Sequence, residues 1–389
     1  MRSLLARALL VLATSATAVY RVRHDAAQWP PDAAIYLRMT LEDRGFSRAD
    51  ARERADAYLR ATVTDPSARA FYVADAPPYY VAQFDLFRTR PLFPAIAALL
   101  YPYAGPRALP IVAAAAYVLA TIVLFGILRW YAPAWLAALG AFAFATAPPV
   151  LGVAGLGLTD APATLFWTAT LGAIIAWTRR PSPLAGVAVA IASLLLAFTR
   201  PAIFLPVGAA LGAAFALRRA GARRQTIVMP VAITIVAGLV FLAFSAAVHG
   251  PGIADQLRWE YDWQLASGDP SAARGFLSWY VHALLRIAGE ALTYDIYKNG
   301  ALLVLVTAAL GIAALRRNAL VAICVAAACA SLIALLANPV EFVRSVELPL
   351  TPVVVILATA ALAMLARALA RGARTEEATG ASAPYGDGA

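Results

Sequence analysis

The sequence predicts an all-α, polytopic membrane protein whose transmembrane helical bundle has about ten spans. Three observations predict this class. First, 62% of the 389 residues are hydrophobic and only 14% are charged, whereas about 25% charge is usual for a soluble domain. Second, apolar runs of roughly 18 residues recur along the chain, which is about the length a helix needs to cross a bilayer. Third, these runs are continuous rather than alternating, which favours helices over the strands of a membrane barrel.

Ten apolar segments are the predicted spans. They cover residues 3–20, 106–130, 133–156, 159–178, 183–199, 201–217, 226–248, 299–315, 319–337 and 348–370. The first is interpreted as a membrane anchor rather than a signal peptide, because no convincing small-residue cleavage site follows it. The membrane domain is assigned to residues 1–371. Residues 372–389, rich in Gly, Ala and Glu, are predicted to be a disordered cytoplasmic tail.

The distribution of arginine predicts the orientation of the bundle. With a cytoplasmic N-terminus, every second connection contains arginine and no acid, as cytoplasmic loops usually do. The arginines on this side are Arg129, Arg179, Arg180, Arg218, Arg219, Arg223, Arg224, Arg316, Arg317, Arg367, Arg371 and Arg374. We therefore predict a multi-pass protein of the cytoplasmic (inner) membrane with both termini inside. The net charge of +10 is then largely a topology signal with some attraction to membrane lipids, and it does not predict nucleic acid as a partner.

The two longest connections, residues 21–105 and 249–298, are predicted on the outer side. The first should contain an amphipathic interfacial helix from Asp32, lying along the membrane surface with Arg38 and Glu42 paired one turn apart. A second helix should begin at Ser47, with Asp50 completing a capping-box-like start. Residues 254–268 and 271–289 are predicted interfacial helices rich in Trp and Tyr. Because the outer connections are long, acidic and aromatic, the sequence places the function on this face.

Six charged residues on the predicted outer side are candidates for chemistry. They are Asp32, Arg88, Arg90, Asp160, Arg200 and Arg344. An acid that removes a proton and arginines that hold a phosphate are the groups required for transfer from a lipid phosphate. Each residue also has a structural interpretation. The two acids are candidate helix N-caps, and the arginines are candidates for contacts with lipid headgroups or for a tight outer hairpin.

No cofactor is predicted. The acids and the three scattered histidines show no metal-ligand spacing. The sequence therefore does not indicate a divalent metal, although it does not exclude one. No glycine-rich phosphate loop occurs that would bind a nucleotide sugar. Cys324 and Cys329 are five residues apart in one apolar segment, so they should face nearly opposite sides of a helix and form no disulfide.

The order of these motifs resembles the GT-C superfamily of membrane glycosyltransferases, in particular its protein-mannosyltransferase-like and aminoarabinose-transferase-like branch. The similar segments extend over roughly residues 1–366. They are "DAAIYLRM" with Tyr36 four residues after the acid, "RTRPLFP" where the family often has Lys-Pro-Pro, "LTDAPATLFWTATLGAIIAW", "LLLAFTRPAIFLP" and "VRSVELPLTPVVV". The sequence departs from the pattern at Ala33, where many relatives have Glu after the Asp, and at Ser345, where the late motif has Tyr. It also has no soluble C-terminal domain.

The resemblance implies an inverting glycosyltransferase that moves a sugar from a polyprenyl-phosphate donor to an acceptor hydroxyl on a lipid, glycan or protein at the outer face. It implies Asp32 as the catalytic base and Arg88 or Arg90 as the ligand of the donor phosphate. The other cavity residues it implies are Tyr36, Asp160, Arg200 and Arg344. The main alternative is a transporter or lipid flippase, which would carry essential charges near mid-span. A non-catalytic scaffold subunit is the third hypothesis.

Overall fold

The computed structural model describes residues 2–24, 29–63, 86–290, 293, 301–316, 318–337, 339 and 346–380. Within these ranges the chain is almost entirely helical and contains no β-strand, so the all-α prediction is confirmed. The α-helices are α1 (Arg2–His24), α2 (Pro31–Asp43), α3 (Arg48–Thr62), α4 (Leu92–Ala104), α5 (Ala108–Leu128), α6 (Ala134–Thr146), α7 (Pro148–Gly152), α8 (Asp160–Arg179), α9 (Pro183–Thr199), α10 (Phe204–Arg219), α11 (Arg224–Ala247), α12 (Ile253–Ala266), α13 (Phe276–Glu290), α14 (Ala301–Ala314), α15 (Ala319–Ala337) and α16 (Leu348–Gly380).

Among the described residues, six helical segments are long and apolar enough to cross a membrane. They are Leu5–His24, Leu92–Leu128, Asp160–Arg179, Arg224–Ala247, Ala319–Leu336 and Leu348–Arg371. Shorter apolar helices lie at Ala134–Thr146, Pro183–Thr199 and Leu302–Ala314. The longest segment contains both α4 and α5, which are joined by the 3₁₀ turn Gly105–Arg107. By the length and composition of its helices, the chain is a polytopic helical membrane protein.

Two parts of the chain differ from their predictions. The predicted span 133–156 is interrupted, because α6 ends at Thr146 and α7 begins at Pro148. The adjacent Pro148 and Pro149 lack the N–H groups that would continue the helix, and Ala147 before them is non-helical with ψ of 130°. At the other end, α16 continues to Gly380, so residues 372–380 are helical where a disordered tail was predicted. Residues 381–389 of that tail lie outside the described ranges.

The helix α2 is enclosed by protein, whereas its sequence pattern predicted a position along the membrane surface. Ala33, Ile35 and Leu37 are completely buried, although they point to different sides of the helix. They belong to an apolar cluster formed with α3, α4, the start of α5 and Leu158. Because small and apolar side chains cover several faces of α2, neighbouring helices can pack around it. This packing holds the residues of α2 in fixed positions relative to the bundle.

Arg38 of α2 pairs with the next helix rather than with Glu42 on its own helix. Its Nη2 lies 2.5 Å from Oδ1 of Asp56 in α3, and both side chains are largely buried. An ion pair shielded from water is screened less than an exposed pair along one helix surface. The predicted start of α3 is confirmed, because Ser47 is its N-cap and accepts a hydrogen bond from the N–H of Asp50.

Glycines bring α10 and α15 into direct backbone contact. Gly208 and Gly212 are spaced four residues apart on α10, as in the small-residue motifs of membrane helix pairs. A Cβ atom at Gly208 would lie 2.5 Å from the Cβ of Ala330 and 2.9 Å from the carbonyl oxygen of Ala326 on α15. A Cβ atom at Gly212 would overlap the carbonyl group of Ala322. Only glycine at both positions allows this close approach of the two helices.

The two ends of α8 carry opposite charges. Asp160 is its first residue and Arg179 is its last, and a helix of 20 residues is about 30 Å long. The guanidinium group of Arg179 lies over the rings of Trp130 and Tyr131, at 5.7 and 5.5 Å from their centroids. Asp160 and Arg179 therefore mark the two opposite ends of α8.

Both cysteines lie on α15 as free thiols. Cys324 is buried and Cys329 is exposed, in agreement with the predicted positions on different sides of one helix. No disulfide joins them, as the spacing predicted.

Candidate functional site

A cavity of about 140 Å³ lies where the first turn of α8, the turn between α9 and α10, and the start of α16 meet. Its wall is mainly apolar, with a few charged and polar side chains from distant parts of the sequence. The lining residues are Arg90, Asp160, Ala163, Thr164, Trp167, Leu196, Arg200, Pro201, Ala202, Phe204, Leu205, Ile253, Gln256, Ala334, Leu348 and Pro349. An apolar cavity into which a few polar groups converge is the usual form of a small-ligand site.

A buried ion pair forms one side of this cavity. Nη1 of Arg200 donates to Oδ1 of Asp160 at 2.6 Å, and the two side chains are 14% and 1% exposed. Asp160 is the first residue of α8, so the positive end of the helix dipole also stabilises its carboxylate. The N-cap position belongs to Thr159, and Asp160 is therefore an ion-pair partner rather than the cap of this helix.

Arg90 reaches the cavity beside a buried tyrosine. Its Nη1 donates to the Tyr36 hydroxyl at 3.2 Å, and that hydroxyl lies 3.1 Å from the Thr159 Oγ1. The Arg90 guanidinium lies over the ring of Phe87, and the Tyr36 ring packs edge-on against the rings of Phe87 and Phe93. These contacts give Arg90 a fixed direction, because its planar group is held both by a hydrogen bond and by an aromatic face.

Tyr36 is protonated at neutral pH. Burial raises the pKa of its hydroxyl, the Arg90 guanidinium opposes this rise, and the Asp32 carboxylate adds to it. A guanidinium group has only donors, so the Tyr36 oxygen accepts from Arg90. The proton of the same hydroxyl is then available for Thr159 Oγ1. One hydroxyl therefore links the segment before α4 to the start of α8.

Asp32 lies one helical turn before Tyr36, in the first turn of α2, and is half-buried. The helix begins at Pro31 with Pro30 as its N-cap, so Asp32 is not the capping residue. Its carboxylate is close enough to raise the pKa of Tyr36. It is not among the described residues that line the cavity. The structure thus connects Asp32 to the cavity wall through Tyr36 and Arg90.

Besides Asp32 and Tyr36, two further predicted site residues are not among the described residues that line the cavity. Arg88 is half-buried in the short helical turn before Arg90, and it is not among the described lining residues. Arg344 lies outside the described ranges. Leu348 and Pro349, which follow it in the same late motif, do line the cavity. Of the basic pair in "RTRPLFP", it is therefore Arg90 that the structure places with Asp160 and Arg200.

The cavity also contains residues that the sequence did not single out. The Trp167 Nε1 donates to the Pro349 carbonyl oxygen at 2.9 Å, which joins α8 to the start of α16 inside the wall. Its position in the quoted motif of α8 was a signal that could have drawn attention to it. Gln256 of α12 adds an uncharged amide. A single glutamine in an interfacial helix carries no distinguishing pattern, so sequence alone could not select it.

The charges of the wall favour an anionic group. Arg90 and Arg200 bring two guanidinium groups, and Asp160 brings one carboxylate. Guanidinium groups match the oxygens of a phosphate in geometry and charge. Within the part of the chain that the structure describes, no three His, Cys, Asp or Glu side chains form a group that could hold a metal ion.

These helices and this cavity define a polytopic helical membrane protein with a small charged cavity near one end of its bundle. No protein-family model matches the chain, and a search of curated proteins also found no match. The similarity to the GT-C superfamily therefore rests on the order of motifs in the sequence.

Tyr36→Phe is expected to weaken donor binding through Arg90. The substitution removes the oxygen that accepts from the Arg90 Nη1 and contacts Thr159. A hydrogen bond to a charged group contributes about 1.5–3 kcal/mol, so KM for an anionic donor should rise by about 10- to 150-fold. The measurement is kcat and KM with a lipid-linked sugar phosphate, the donor that the motif order implies. Tyr58→Phe is the matched control, since Tyr58 packs against the same cluster from α3, where its ring lies edge-on to Trp29. Equal effects in both variants would refute this positioning role.

Proposed function

We propose that the protein is an integral membrane glycosyltransferase that moves a sugar from a polyprenyl-phosphate donor to an acceptor hydroxyl. The observation that carries the proposal is the convergence of Arg90, Arg200 and Asp160 on one small cavity in an otherwise apolar wall. A lipid-linked sugar phosphate needs this combination, because its phosphate requires cations and its polyprenyl chain requires an apolar environment. The similarity of motif order to the GT-C superfamily supports the same class of reaction.

In the proposed reaction Arg90 and Arg200 hold the donor phosphate. The acceptor oxygen attacks the anomeric carbon and forms the new glycosidic bond. The bond between that carbon and the phosphate oxygen breaks, and the leaving polyprenyl phosphate keeps the electron pair. The two guanidinium groups stabilise the negative charge that develops on this oxygen. Because attack and departure occur on opposite faces of the sugar ring, the anomeric configuration is inverted.

Asp32 is the proposed base that receives the acceptor proton. Support for this role comes from its place in the "DAAIYLRM" motif and from its position one turn before Tyr36. General-base assistance of this kind typically contributes about 10²–10⁴ in rate. The acceptor then approaches from the side of α2, while the donor phosphate occupies the cavity beyond Tyr36 and Arg90. Asp160 keeps Arg200 in place and neutralises part of its charge before the donor binds.

The proposed membrane arrangement is a GT-C-like bundle of about ten spans with both termini in the cytoplasm. The cavity then opens on the outer face of the cytoplasmic membrane. The positions of Asp160 and Arg179 at opposite ends of α8 support this orientation, because cytoplasmic ends of spans are enriched in arginine. A transporter or flippase is the alternative function. The buried pair at the end of α8 favours the enzyme, since a transport pathway would place such charges near mid-span.

The experiment is a transfer assay with the purified full chain in lipid nanodiscs. Polyprenyl-phosphate sugars of several kinds are supplied with an extract of cell-envelope acceptors, and the release of free polyprenyl phosphate is measured. Mass spectrometry of surface glycans from a strain lacking the gene identifies the sugar and the acceptor. We expect donor-dependent release in the assay and the loss of one glycan modification in the strain. Accumulation or movement of a lipid-linked sugar without transfer would instead support the flippase.

A further inference from the structure

A second cavity lies at the opposite end of the bundle from the proposed catalytic site. It measures about 550 Å³ and opens between α9 and α11, next to the last turn of α8. Val187, Ala190, Met229 and Ile233 form its apolar part. Ser182, Gln225 and Thr226 provide polar groups nearer the helix ends. The cavity is therefore a groove that changes from polar to apolar along the helices.

The shape of the groove is held by Trp177. Its Nε1 donates to the carbonyl oxygen of Thr226 at 3.0 Å, which fixes the end of α8 against the start of α11. Gly186 lies against the same indole, where a Cβ atom would come within 3.1 Å of the ring. The side chains of Val187 and Met229 are about half exposed. The groove thus presents apolar surface that the described residues do not cover.

Arginines surround the polar end of the groove. Arg180, Arg223 and Arg224 are exposed at the ends of the helices that form it. The sequence contains no Asp or Glu between Asp160 and Asp255, so the segments that build the groove carry only positive charge. A topology signal alone explains arginines at this end. The topology signal does not explain why these arginines lie beside an apolar groove with polar groups at its mouth.

We propose that this groove binds one anionic diacyl phospholipid. The lipid phosphate lies among Arg180, Arg223 and Arg224, and Ser182, Gln225 and Thr226 offer hydrogen bonds to the headgroup. One acyl chain lies along the apolar residues of the groove, which include Val187 of α9 and Ile233 of α11. The distance along α11 from residue 225 to Ile233 is about 12 Å. The positive charge selects an anionic headgroup, and the apolar part selects a lipid over a soluble phosphate. This proposal is independent of the glycosyl-transfer reaction.

The test compares lipids with identical acyl chains and different headgroups. Lipid-depleted full-length protein in detergent is mixed with phosphatidylglycerol or phosphatidylcholine, and bound lipid is counted by native mass spectrometry. We expect phosphatidylglycerol to be retained at one copy and phosphatidylcholine to dissociate. Arg223→Gln with Arg224→Gln should lower the phosphatidylglycerol affinity roughly thirtyfold, because each arginine near an anionic headgroup contributes about a fivefold factor. Val187→Trp should also abolish retention, by filling the groove without changing the charge.

The matched control is Arg218→Gln with Arg316→Gln. It removes the same charge from exposed arginines that are not next in sequence to a residue lining the groove, as Arg224 is to Gln225, and lipid retention should persist. An equal loss in this control would overturn the proposal, since the binding would then be general attraction to a basic surface. Equal retention of the two phospholipids would overturn it as well. Displacement of the lipid by glycerol phosphate alone would mean that a free phosphate, rather than a lipid, is the ligand. The transfer assay with the wild-type protein is unaffected by any of these outcomes.

Discussion

Asp32→Asn is expected to reduce glycosyl transfer by about 10²–10⁴-fold while the protein remains folded and inserted. Asparagine has nearly the same shape as aspartate, but its amide cannot take up the proton of the acceptor hydroxyl. The fold should tolerate the change, because Asp32 is only half-buried and is not the N-cap of α2. Removing the negative charge of Asp32 from the first turn of α2 also removes its favourable interaction with the helix dipole, which contributes about 0.3–1 kcal/mol. The measurement is single-turnover release of polyprenyl phosphate, with size-exclusion chromatography to confirm the folded state.

Asp43→Asn is the matched control for Asp32→Asn. Asp43 is the last residue of the same helix, about 16 Å from Asp32 along the axis. Burial and the neighbouring Glu42 carboxylate raise the pKa of Asp43, so asparagine removes a negative charge that these surroundings destabilise. Transfer should continue at nearly the wild-type rate. If Asp32→Asn also retains that rate, the base lies elsewhere. The next candidates are Asp160 and Asp25, of which Asp25 lies outside the described residues.

Asp160→Asn is expected to destabilise the protein by about 3–5 kcal/mol, because it leaves the Arg200 guanidinium without its buried carboxylate. The effect should appear as a lower thermal unfolding midpoint in detergent and as loss of transfer. Asp160→Asn with Arg200→Gln removes both charges, and much of the stability should return. Transfer should remain absent in the double variant, since the cation that holds the phosphate is missing. This combination separates the structural role of the pair from its proposed catalytic role.

Asp262→Asn is the control for the Asp160 variants. Asp262 pairs with Arg258 at 4.0 Å on α12, where the side chains are 59% and 82% exposed. An exposed pair of this kind contributes only about 0–1 kcal/mol, so the unfolding midpoint should hardly change. Recovery of transfer in the double variant would contradict the phosphate-binding role of Arg200. An unchanged midpoint in Asp160→Asn would contradict the contribution of the buried pair to stability.

Much of the architecture could be predicted because it depends on local properties of the sequence. Continuous apolar runs predicted helices, and the Ser47 cap and the two aromatic helices α12 and α13 were found close to where their patterns indicated. The enclosed position of α2 could not be predicted. Its pattern is compatible with either a lipid or a protein neighbour, since both are apolar. Which of the two covers the helix depends on segments far along the chain, such as Leu158.

The candidate site could be predicted as a set of residues but not as a set of contacts. Asp160 and Arg200 were both selected because they share one predicted face, and they are 40 positions apart in the sequence. Their pairing depends on how α8, α9 and α10 pack, which no single segment encodes. The same limit explains Arg38, for which the nearest acid along the helix is Glu42 but the structural partner is Asp56. Charge patterns therefore identified the residues of the site, whereas tertiary packing determines which of them form ion pairs.

The glycine contacts between α10 and α15 have a consequence for how the proposed polyprenyl-phosphate donor would reach the cavity. These two helices also supply Leu205 and Ala334 to the cavity wall, and their close backbone contact leaves this part of the wall little room to move. Another part of the wall is supplied by Ile253 and Gln256 of α12, a helix without a buried residue. Displacing a helix with so little buried surface requires the least free energy. We therefore expect the polyprenyl chain of the proposed donor to enter beside α12, which is easier to displace than the tightly packed pair α10 and α15.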